Sequence, residues 1–241
     1  MDGPSPAGAH RTGTAIVLGA GGAVDPRVAR GLPAADLVVA ADSGLAQAAV
    51  LGLHVDLVVG DLDSVEPAML DDARATGARV ERHPSAKDEI DLELAIDAAC
   101  TRGASYVVVV TGAGGRMDML LANALVLAQD RYAHLRIDAW TDRAHSTLAR
   151  GPGRADVHGR AGELVSLLAL NGVARGVRTE GLQYPLHHED LHPGSGRGVS
   201  NVLRDAHAAV ELDAGVLLVI RPDALDALDV LDARNALEEP R

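Results

Sequence analysis

The sequence predicts an α/β protein whose N-terminal half is a doubly wound, mostly parallel sheet with helices on both faces. A C-terminal antiparallel β-sandwich or partial barrel is expected to follow it. Up to about residue 140, short apolar runs alternate with segments of helical spacing, as in parallel sheets with crossover helices. From about Asp142 onward, short apolar stretches are separated by Gly, Pro, Asn and Asp, which is typical of antiparallel strands.

The first half of the chain contains six candidate strands and five candidate helical segments. The strands are expected at residues 14–18, 37–41, 57–60, 79–82, 106–111 and 135–140. The helical segments are expected at residues 26–31, 45–51, 65–76, 89–101 and 117–129. Ligands of such sheets bind at the carboxyl ends of the strands, so functional residues are expected in the loops that follow each strand.

The second half divides into short strands, expected at residues 146–149, 163–169, 173–177, 208–212 and 216–220. The predicted domains are a disordered lead-in (1–12), an α/β domain (13–145), a β-rich domain (146–222) and a tail (223–241). Disorder is expected in the lead-in because it consists mostly of Pro, Gly, Ala and small polar residues without periodicity.

Charge and composition argue against several classes of partner. The formal net charge of −12, from 22 basic and 34 acidic residues, argues against nucleic acid and anionic membranes. Aromatic residues make up only 2% of the chain, so a stacking platform for single-stranded nucleic acid is not expected. No run approaches the roughly 18 apolar residues of a membrane span. The single cysteine, Cys100, fits a reducing compartment, so the expected location is the cytoplasm.

The motif Gly60-Asp61-Leu62-Asp63-Ser64 follows the third expected strand. In an extended chain residues i and i+2 point the same way, so Asp61 and Asp63 would face one point in space. Two convergent carboxylates at a strand end suit Mg²⁺, which proteins often hold through one or two carboxylates together with substrate phosphates. The alternative is that Asp63 or Ser64 only caps the next helix, which is the commoner role for an isolated motif of this kind.

Further polar residues follow other strands and should collect on the same rim of the sheet. They are Asp42, Lys87, Asp88, Asp91, Gly112, Gly114, Gly115, Arg116, Asp118 and Asn123. Each has an ordinary structural alternative, such as an Asx turn, a favourable charge at a helix start or a solvated surface charge. Together they indicate a site in which Mg²⁺ neutralises the acids. The glycine loop, followed by Arg116 and a helix, is suited to bind phosphate.

Three details of the sequence lead to further predictions. Asp88 and Asp91 are three residues apart at a helix start, so they are expected to share one helix face. Lys87 is the only lysine of the chain, which is either chance or the mark of a site that needs a compact ammonium rather than a planar guanidinium. The segment Gly19-Ala20-Gly21-Gly22-Ala23 matches only half of a dinucleotide fingerprint and is interpreted as a tight turn that a phosphate can approach.

Four motifs now stand in order along the chain. They are Ala41-Asp42-Ser43-Gly44, Gly60-Asp61-Leu62-Asp63-Ser64, Lys87-Asp88-x-x-Asp91 and Gly114-Gly115-Arg116-x-Asp118-x-x-x-Ala122-Asn123. Together they resemble the motif series of the thiamine pyrophosphokinase family. The segments Gly181-Leu182-Gln183-Tyr184-Pro185-Leu186 and Gly194-Ser195-x-Arg197-Gly198-Val199-Ser200-Asn201 are similar to its thiamine-contacting region. Ile90 and Met119 depart from the family pattern, but neither change removes a carboxylate.

The resemblance implies Mg²⁺-dependent transfer of pyrophosphate from ATP to thiamine, which gives thiamine diphosphate and AMP. It implies Asp61, Asp63 and Asp91 as metal ligands, with Asp42 and Asp88 joining the network. The remaining residues of the rim would bind ATP or act on the acceptor. Lys87, Arg116 and the amides of Gly112, Gly114 and Gly115 would steady the phosphates, Asn123 would contribute to the ATP site, and Asp118 would orient or deprotonate the attacking hydroxyl.

The thiamine site is implied to lie in the second half of the chain. Tyr184 would stack on a thiamine ring, and Ser200 and Asn201 would hydrogen-bond its aminopyrimidine. The resemblance also implies a homodimer with the thiamine site between the subunits.

Three alternatives to this function remain open at this point. The first is a pyrophosphokinase that acts on another alcohol, such as a hydroxymethyl dihydropterin. The second is a phosphohydrolase of the haloacid dehalogenase type, in which the first Asp of the motif is a covalent nucleophile. The third is a nucleotide-sensing Rossmann module that uses residues 19–22. The segments around Tyr184 and Ser200 favour thiamine as the acceptor.

Overall fold

The computed structural model describes residues 13–228. The predicted lead-in and residues 229–241 of the predicted tail lie outside this range.

The first half of the described chain forms a parallel sheet with flanking helices. Its strands are β1 (Gly13–Leu18), β2 (Leu37–Ala41), β3 (Leu57–Gly60), β4 (Arg79–Arg82), β5 (Ala104–Thr111) and β6 (Arg136–Thr141). Its helices are α1 (Leu45–Leu51), α2 (Pro67–Ala75), α3 (Asp91–Thr101) and α4 (Met117–Leu127). All neighbouring pairs among these strands are parallel, in the order β4-β3-β2-β1-β5-β6. The order reverses between β1 and β5, and ligands of such sheets bind outside the strand ends at that reversal.

Both faces of the parallel sheet are buried, as the apolar strand sequences require. Along β1, Ile16 and Leu18 belong to the core beneath α1 and α2, and Ala15 and Val17 belong to the core beneath α3. Successive side chains of a strand point to opposite faces, so one strand supplies both cores. The prediction of a doubly wound sheet with helices on both faces is therefore confirmed.

Two helices begin later than the sequence analysis predicted. Helix α2 starts at Pro67 rather than residue 65, with Glu66 at the N-cap position. Proline is favoured in the first helical turn because its missing N–H would lack a helical partner there. Helix α3 starts at Asp91 rather than residue 89, and the side chain of Glu93 accepts from the backbone N–H of Ile90 at 3.0 Å.

The second half of the described chain is antiparallel. Its strands are β7 (Ala144–Arg150), β8 (Gly153–His158), β9 (Leu164–Glu180), β10 (His187–Leu191), β11 (Asn201–Val202), β12 (His207–Leu212) and β13 (Ala214–Arg221). The strand order continues from β6 as β7-β13-β9-β12-β8, and β10 and β11 pair with β9. These strands enclose a third apolar core that includes Val165, Leu167 and Leu217. The predicted antiparallel β region is confirmed.

Strand β9 corrects the expectation of two separate strands at residues 163–169 and 173–177. The turn-like pair Asn171-Gly172 has positive φ angles of 56° and 133°, yet the strand continues through it. It continues because β13 pairs with β9 on both sides of this pair, at Leu170 and at Arg175, while β10 and β12 pair with the second half of β9. Strands β8 and β10 were not predicted, since their polar sequences lack an apolar run. The proposed boundary at residues 145 and 146 falls inside β7, which pairs with both β6 and β13.

The last described residues return to the first layer. Residues 224–228 are helical, and Ala224 and Leu225 are buried in the same core as Ile16. Asp226 forms an ion pair with Arg143. Within residues 13–228, none of the helices is both long enough and apolar enough to span a membrane.

Candidate active site

Three carboxylates lie together at the carboxyl ends of β2 and β3. Asp42 follows β2, Asp61 follows β3 and Asp91 begins α3, and one oxygen of each lies within 4.8 Å of the others. Lys87 Nζ is 2.9 Å from Asp91 Oδ1 and 3.8 Å from Asp61 Oδ2. These four residues are called the acidic cluster below. With all four ionised, three negative charges and one positive charge leave a net charge of −2.

Gly60 allows these carboxylates to approach one another. Its φ of 146° lies in the region that favours glycine. A Cβ on this residue would lie 3.1 Å from Asp42 Cβ and 3.2 Å from Asp91 Oδ1, which is tighter than ordinary contact. The glycine of the motif is therefore required both by the backbone conformation and by the space around it.

Lys87 and the carboxylates of the acidic cluster stabilise each other's charges. The backbone N–H of Asp63 donates to Asp61 Oδ1 at 3.2 Å and is the largest influence on the pKa of Asp61, which is lowered. Burial alone would lower the pKa of Lys87, but the carboxylates of Asp91 and Asp61 outweigh it and raise that pKa. The Lys87 side chain is only 12% exposed, so solvent screens these interactions weakly. Both groups keep their charges at neutral pH.

The acidic cluster fits a divalent cation. Asp42 Oδ1 is buried and has no hydrogen-bond partner among the described residues. A buried carboxylate oxygen without a donor is costly unless a cation neutralises it. The candidate metal-ligand atoms are all carboxylate oxygens, the ligand type that Mg²⁺ prefers.

Asp63 lies outside the group of convergent carboxylates. Leu62 has a φ of 63°, so the chain between Asp61 and Asp63 is not extended and the expectation that both face one point is wrong. Helix capping by Asp63 or Ser64 is also wrong, because Glu66 occupies the N-cap position. The Ser64 hydroxyl instead lies 2.7 Å from Asp42 Oδ2 and 3.1 Å from Asp63 Oδ1. A metal-ligand role for Asp63 stays a prediction.

Asp88 is exposed and precedes α3, whose first residue is Asp91. The expectation that the two acids share a helix face is therefore wrong, because the chain at Asp88 is not helical. Its place in the metal network stays a prediction.

The glycine loop after β5 leads directly into α4. Gly114 and Gly115 have φ angles of 94° and 77°, and Arg116 occupies the N-cap position of the helix. Arg116 Nη2 is 2.6 Å from Asp118 Oδ2, and their side chains are 74% and 65% exposed. Hydrogen bonds from Arg116 lower the pKa of Asp118, and the same contact raises the pKa of Arg116. The two residues therefore pair with each other rather than with the acidic cluster.

A cavity of about 300 Å³ lies between the strand ends and α4. Its lining combines two glycine-containing loops, apolar side chains and three polar residues: Ala20, Gly21, Gly22, Ala41, Asp91, Leu92, Gly112, Gly114, Gly115, Arg116, Met119, Leu120 and Asn123. Asn123 Oδ1 is buried without a hydrogen-bond partner in the described part of the chain. The cavity adjoins the acidic cluster, since Asp91 belongs to both.

The three predicted thiamine-site residues lie together in the second half but not at this cavity. Tyr184 is 54% exposed and Ser200 is exposed. Asn201 is buried, and its carboxamide accepts from Tyr184 N at 3.0 Å and donates to Tyr184 O at 2.7 Å. In this structure the carboxamide of Asn201 is therefore hydrogen-bonded to the backbone of Tyr184. Within the described range 13–228, no residue after Asn123 lines the cavity.

Two contacts at the site were missed by the sequence analysis. Ser64 was considered only as a cap, although its hydroxyl binds Asp42. Gln47 was not considered, although its side chain bonds to the loop after β1. Both contacts join residues 22 or more positions apart, so no local motif signals them.

Two family models match the chain. One is described as "Thiamin pyrophosphokinase, catalytic domain" and matches residues 28–138. The other is described as "Thiamin pyrophosphokinase, vitamin B1 binding domain" and matches residues 154–217. The chain belongs to the thiamine pyrophosphokinase family. The resemblance found in the sequence motifs is therefore confirmed.

Individual members of the thiamine pyrophosphokinase family agree with this assignment. The thiamine pyrophosphokinase of Bacillus subtilis (strain 168) is 23% identical over 163 residues, covering 67% of this chain and 76% of that protein. The crystal structure of the Bacillus subtilis protein matches with a TM-score of 0.73 at 22% identity, covering 86% of this chain and 98% of that one. That of Geobacillus thermodenitrificans matches with a TM-score of 0.69 at 26% identity, covering 86% and 96%. The fold is that of the family.

Proposed function

We propose that this chain transfers the pyrophosphoryl group of ATP to the hydroxyethyl group of thiamine, giving thiamine diphosphate and AMP. The observation that carries the proposal is the acidic cluster beside a glycine-lined cavity at the reversal of strand order. Membership of the thiamine pyrophosphokinase family supports the choice of ATP and thiamine as substrates.

The proposed transfer is a displacement at the β-phosphorus of ATP. The thiamine hydroxyl oxygen forms a bond to that phosphorus, and the bond from the same phosphorus to the α,β-bridging oxygen breaks. AMP leaves with the bridging oxygen and its electron pair, while the hydroxyl proton passes to a base. Asp118 is the proposed base or orienting group, because a carboxylate is ionised at neutral pH and can accept a proton or a hydrogen bond.

Catalysis of such a transfer depends mainly on positioning and on neutralising phosphate charge. Asp42, Asp61 and Asp91 would hold Mg²⁺, with Asp63 and Asp88 as further candidate ligands. When bound there, Mg²⁺ supplies positive charge to the phosphates. Within the chain, Lys87 adds an ammonium beside the same carboxylates.

The remaining groups of the proposed ATP site belong to the loop after β5 and to α4. Arg116 offers a guanidinium suited to phosphate, although it must first leave Asp118. The backbone amides of Gly112, Gly114 and Gly115 precede the N-terminus of α4, where anions are favoured. Asn123 adds a polar group to the cavity wall.

Thiamine is proposed to bind at Tyr184, Ser200 and Asn201 of a partner subunit in a homodimer. The cavity receives no lining residue from the second half of the described chain, which supports a site shared between two subunits. Large exposed apolar side chains support contact between copies, since Met117, Leu121 and Leu125 share one face of α4. A cytoplasmic location remains a prediction from composition.

The activity is tested by incubating the protein with ATP, Mg²⁺ and thiamine and identifying both products. AMP and thiamine diphosphate formed in equal amounts are expected. A dihydropterin alcohol in place of thiamine tests the alternative acceptor. Formation of ADP or free phosphate, or nucleotide turnover that does not depend on thiamine, would contradict the proposal.

The shared site is tested by mixing two impaired variants. Asp61→Asn damages the phosphate half of the site, and Tyr184→Ala damages the thiamine half. If each site combines halves from two subunits, a dimer of one variant with the other contains one intact site. At low thiamine, random mixing should restore roughly a quarter of wild-type activity. Activity no higher than the average of the separate variants would place the site within one chain.

A further inference from the structure

Two glycine loops face each other where the strand order reverses. One follows β1 (residues 19–23) and the other follows β5 (residues 112–116), and β1 and β5 are neighbouring strands. A Cβ on Gly22 would overlap the carbonyl oxygen of Ala113, and one on Gly112 would overlap the carbonyl oxygen of Gly22. The two loops therefore pack backbone against backbone, which only glycine at these positions allows. They are called the paired glycine loops below.

The cavity lies against the paired glycine loops, and its lining changes from apolar along one wall to charged at one end. Ala20, Leu92, Met119 and Leu120 make much of the wall apolar, and Arg116 is the one basic residue that lines it in the described chain. The polar end is at Asp91, next to Lys87. An apolar wall close to a charged end suits a nucleoside with phosphates attached, because a base and sugar bury apolar surface while the phosphates need cations.

Gln47 holds the first of these loops in place. It lies on α1, only 5% exposed, and its Nε2 donates to the carbonyl oxygen of Gly22 at 3.0 Å. The backbone N–H of Val24 donates to its Oε1 at 3.1 Å. One buried carboxamide thus satisfies a donor and an acceptor of the loop, and leaving them unpaired would be costly. Since α1 directly follows the turn that carries Asp42, Gln47 also ties the loop to the element that carries the acidic cluster.

We infer that residues 20–22 form the wall that binds the adenosine end of ATP, and that Gln47 is the positioning residue for this wall. The inference rests on the proposed function in that the ligand is ATP. The glycine segment after β1 can then bind a ligand although it lacks the third glycine of a dinucleotide fingerprint. The loop after β5 completes the binding wall from the other side of the point where the strand order reverses. Gln47 acts through the loop and does not touch the reacting atoms.

The inference is tested by binding and kinetics in three variants. Gln47→Leu removes both hydrogen bonds at nearly constant volume, and Gly22→Ala pushes the paired glycine loops apart. Thr147→Val is the matched control, since it removes a hydrogen bond of 2.6 Å to buried Asp138 on the β6–β7 hairpin. The probes are α,β-methylene-ATP with Mg²⁺, AMP, and inorganic pyrophosphate, with melting temperatures measured in parallel.

Gln47→Leu and Gly22→Ala should each weaken the binding of AMP and of the ATP analogue by about tenfold. The KM for ATP should rise with them, while in Gln47→Leu kcat, the KM for thiamine and pyrophosphate affinity stay within about twofold. Wild-type nucleotide affinity in both variants overturns the inference, as does equal weakening of pyrophosphate binding in Gln47→Leu or an equal loss of nucleotide affinity in Thr147→Val. A wild-type protein that binds neither AMP nor the analogue also overturns it. Nucleotide binding as expected without thiamine diphosphate formation overturns only the proposed function.

Discussion

The two halves of the proposed site are built in different ways. At the ends of β2 and β3, the polar and charged groups contact one another: the Ser64 hydroxyl donates to Asp42, and Lys87 forms an ion pair with Asp91. In the antiparallel half, Tyr184 and Ser200 are exposed, and the buried amide of Asn201 is bonded to backbone. The phosphate half is thus organised within one chain, whereas the acceptor half presents its groups outward. Substitutions in the first should change turnover, and substitutions in the second should change acceptor affinity.

The strongest test of this contrast is Asp61→Asn compared with Asp63→Asn. Asp61→Asn should lower kcat by about two to three orders of magnitude, because it removes a charge that faces the phosphates. A modest fall in the melting temperature is also expected, since the lowered pKa of Asp61 means that the folded chain stabilises its charge. Turnover measured as AMP release, with circular dichroism as the fold control, checks this. A smaller loss in Asp63→Asn would follow its position outside the convergent group, and an equal loss would make Asp63 a ligand.

Lys87→Arg should impair turnover although it keeps the charge. The Lys87 side chain is 12% exposed and lies between two carboxylates, so a planar guanidinium cannot take the place of a compact ammonium. We expect kcat to fall by about tenfold to a hundredfold, corresponding to roughly 1.4–2.8 kcal/mol. Steady-state kinetics with Arg74→Lys, a substitution on the surface of α2, provides the control. Full activity in Lys87→Arg would mean that the only lysine of the chain has no special role.

Tyr184→Ala should affect acceptor affinity rather than chemistry. Loss of a stacked ring should raise the KM for thiamine by about tenfold and leave the KM for ATP unchanged, since an aromatic pair contributes roughly 0.5–1.5 kcal/mol. Because Tyr184 is 54% exposed, the melting temperature should stay the same. Tyr184→Phe keeps the ring and should retain wild-type affinity. A rise in the KM for ATP alone would separate Tyr184 from the thiamine site.

The smallest expected effect is a thermal shift on adding Mg²⁺. A ligand at about 100 times its Kd stabilises a protein by about 2.7 kcal/mol. For a chain of this size each kcal/mol raises the melting temperature by roughly 2–4 °C. Asp42→Asn should abolish the shift by removing the buried oxygen that has no donor, whereas Asp71→Asn on α2 should retain it. A full shift in Asp42→Asn would place the metal elsewhere.

The sequence predicted the parallel layer well because its signals are local. Apolar β-branched runs and helical spacing define β1 to β6 and α1 to α4 to within a few residues. The antiparallel half was less predictable, because the continuity of β9 past Asn171 depends on distant partner strands. The site shows the same division. The loop positions of Asp42, Asp61 and Asp91 follow from strand order, but the displacement of Asp63 depends on the backbone at Leu62. Motif spacing carries no information about that single angle.

The return of the chain to its first layer has a consequence for synthesis. Ala224 and Leu225 are fully buried in the same core as Ile16, which lies near the opposite end of the described sequence. A ribosome delivers the chain from its N-terminus, so the apolar surface that these two residues cover stays open until nearly all of the described residues have been made. The α/β layer is first in the sequence, but it is among the last parts of the molecule to complete its core.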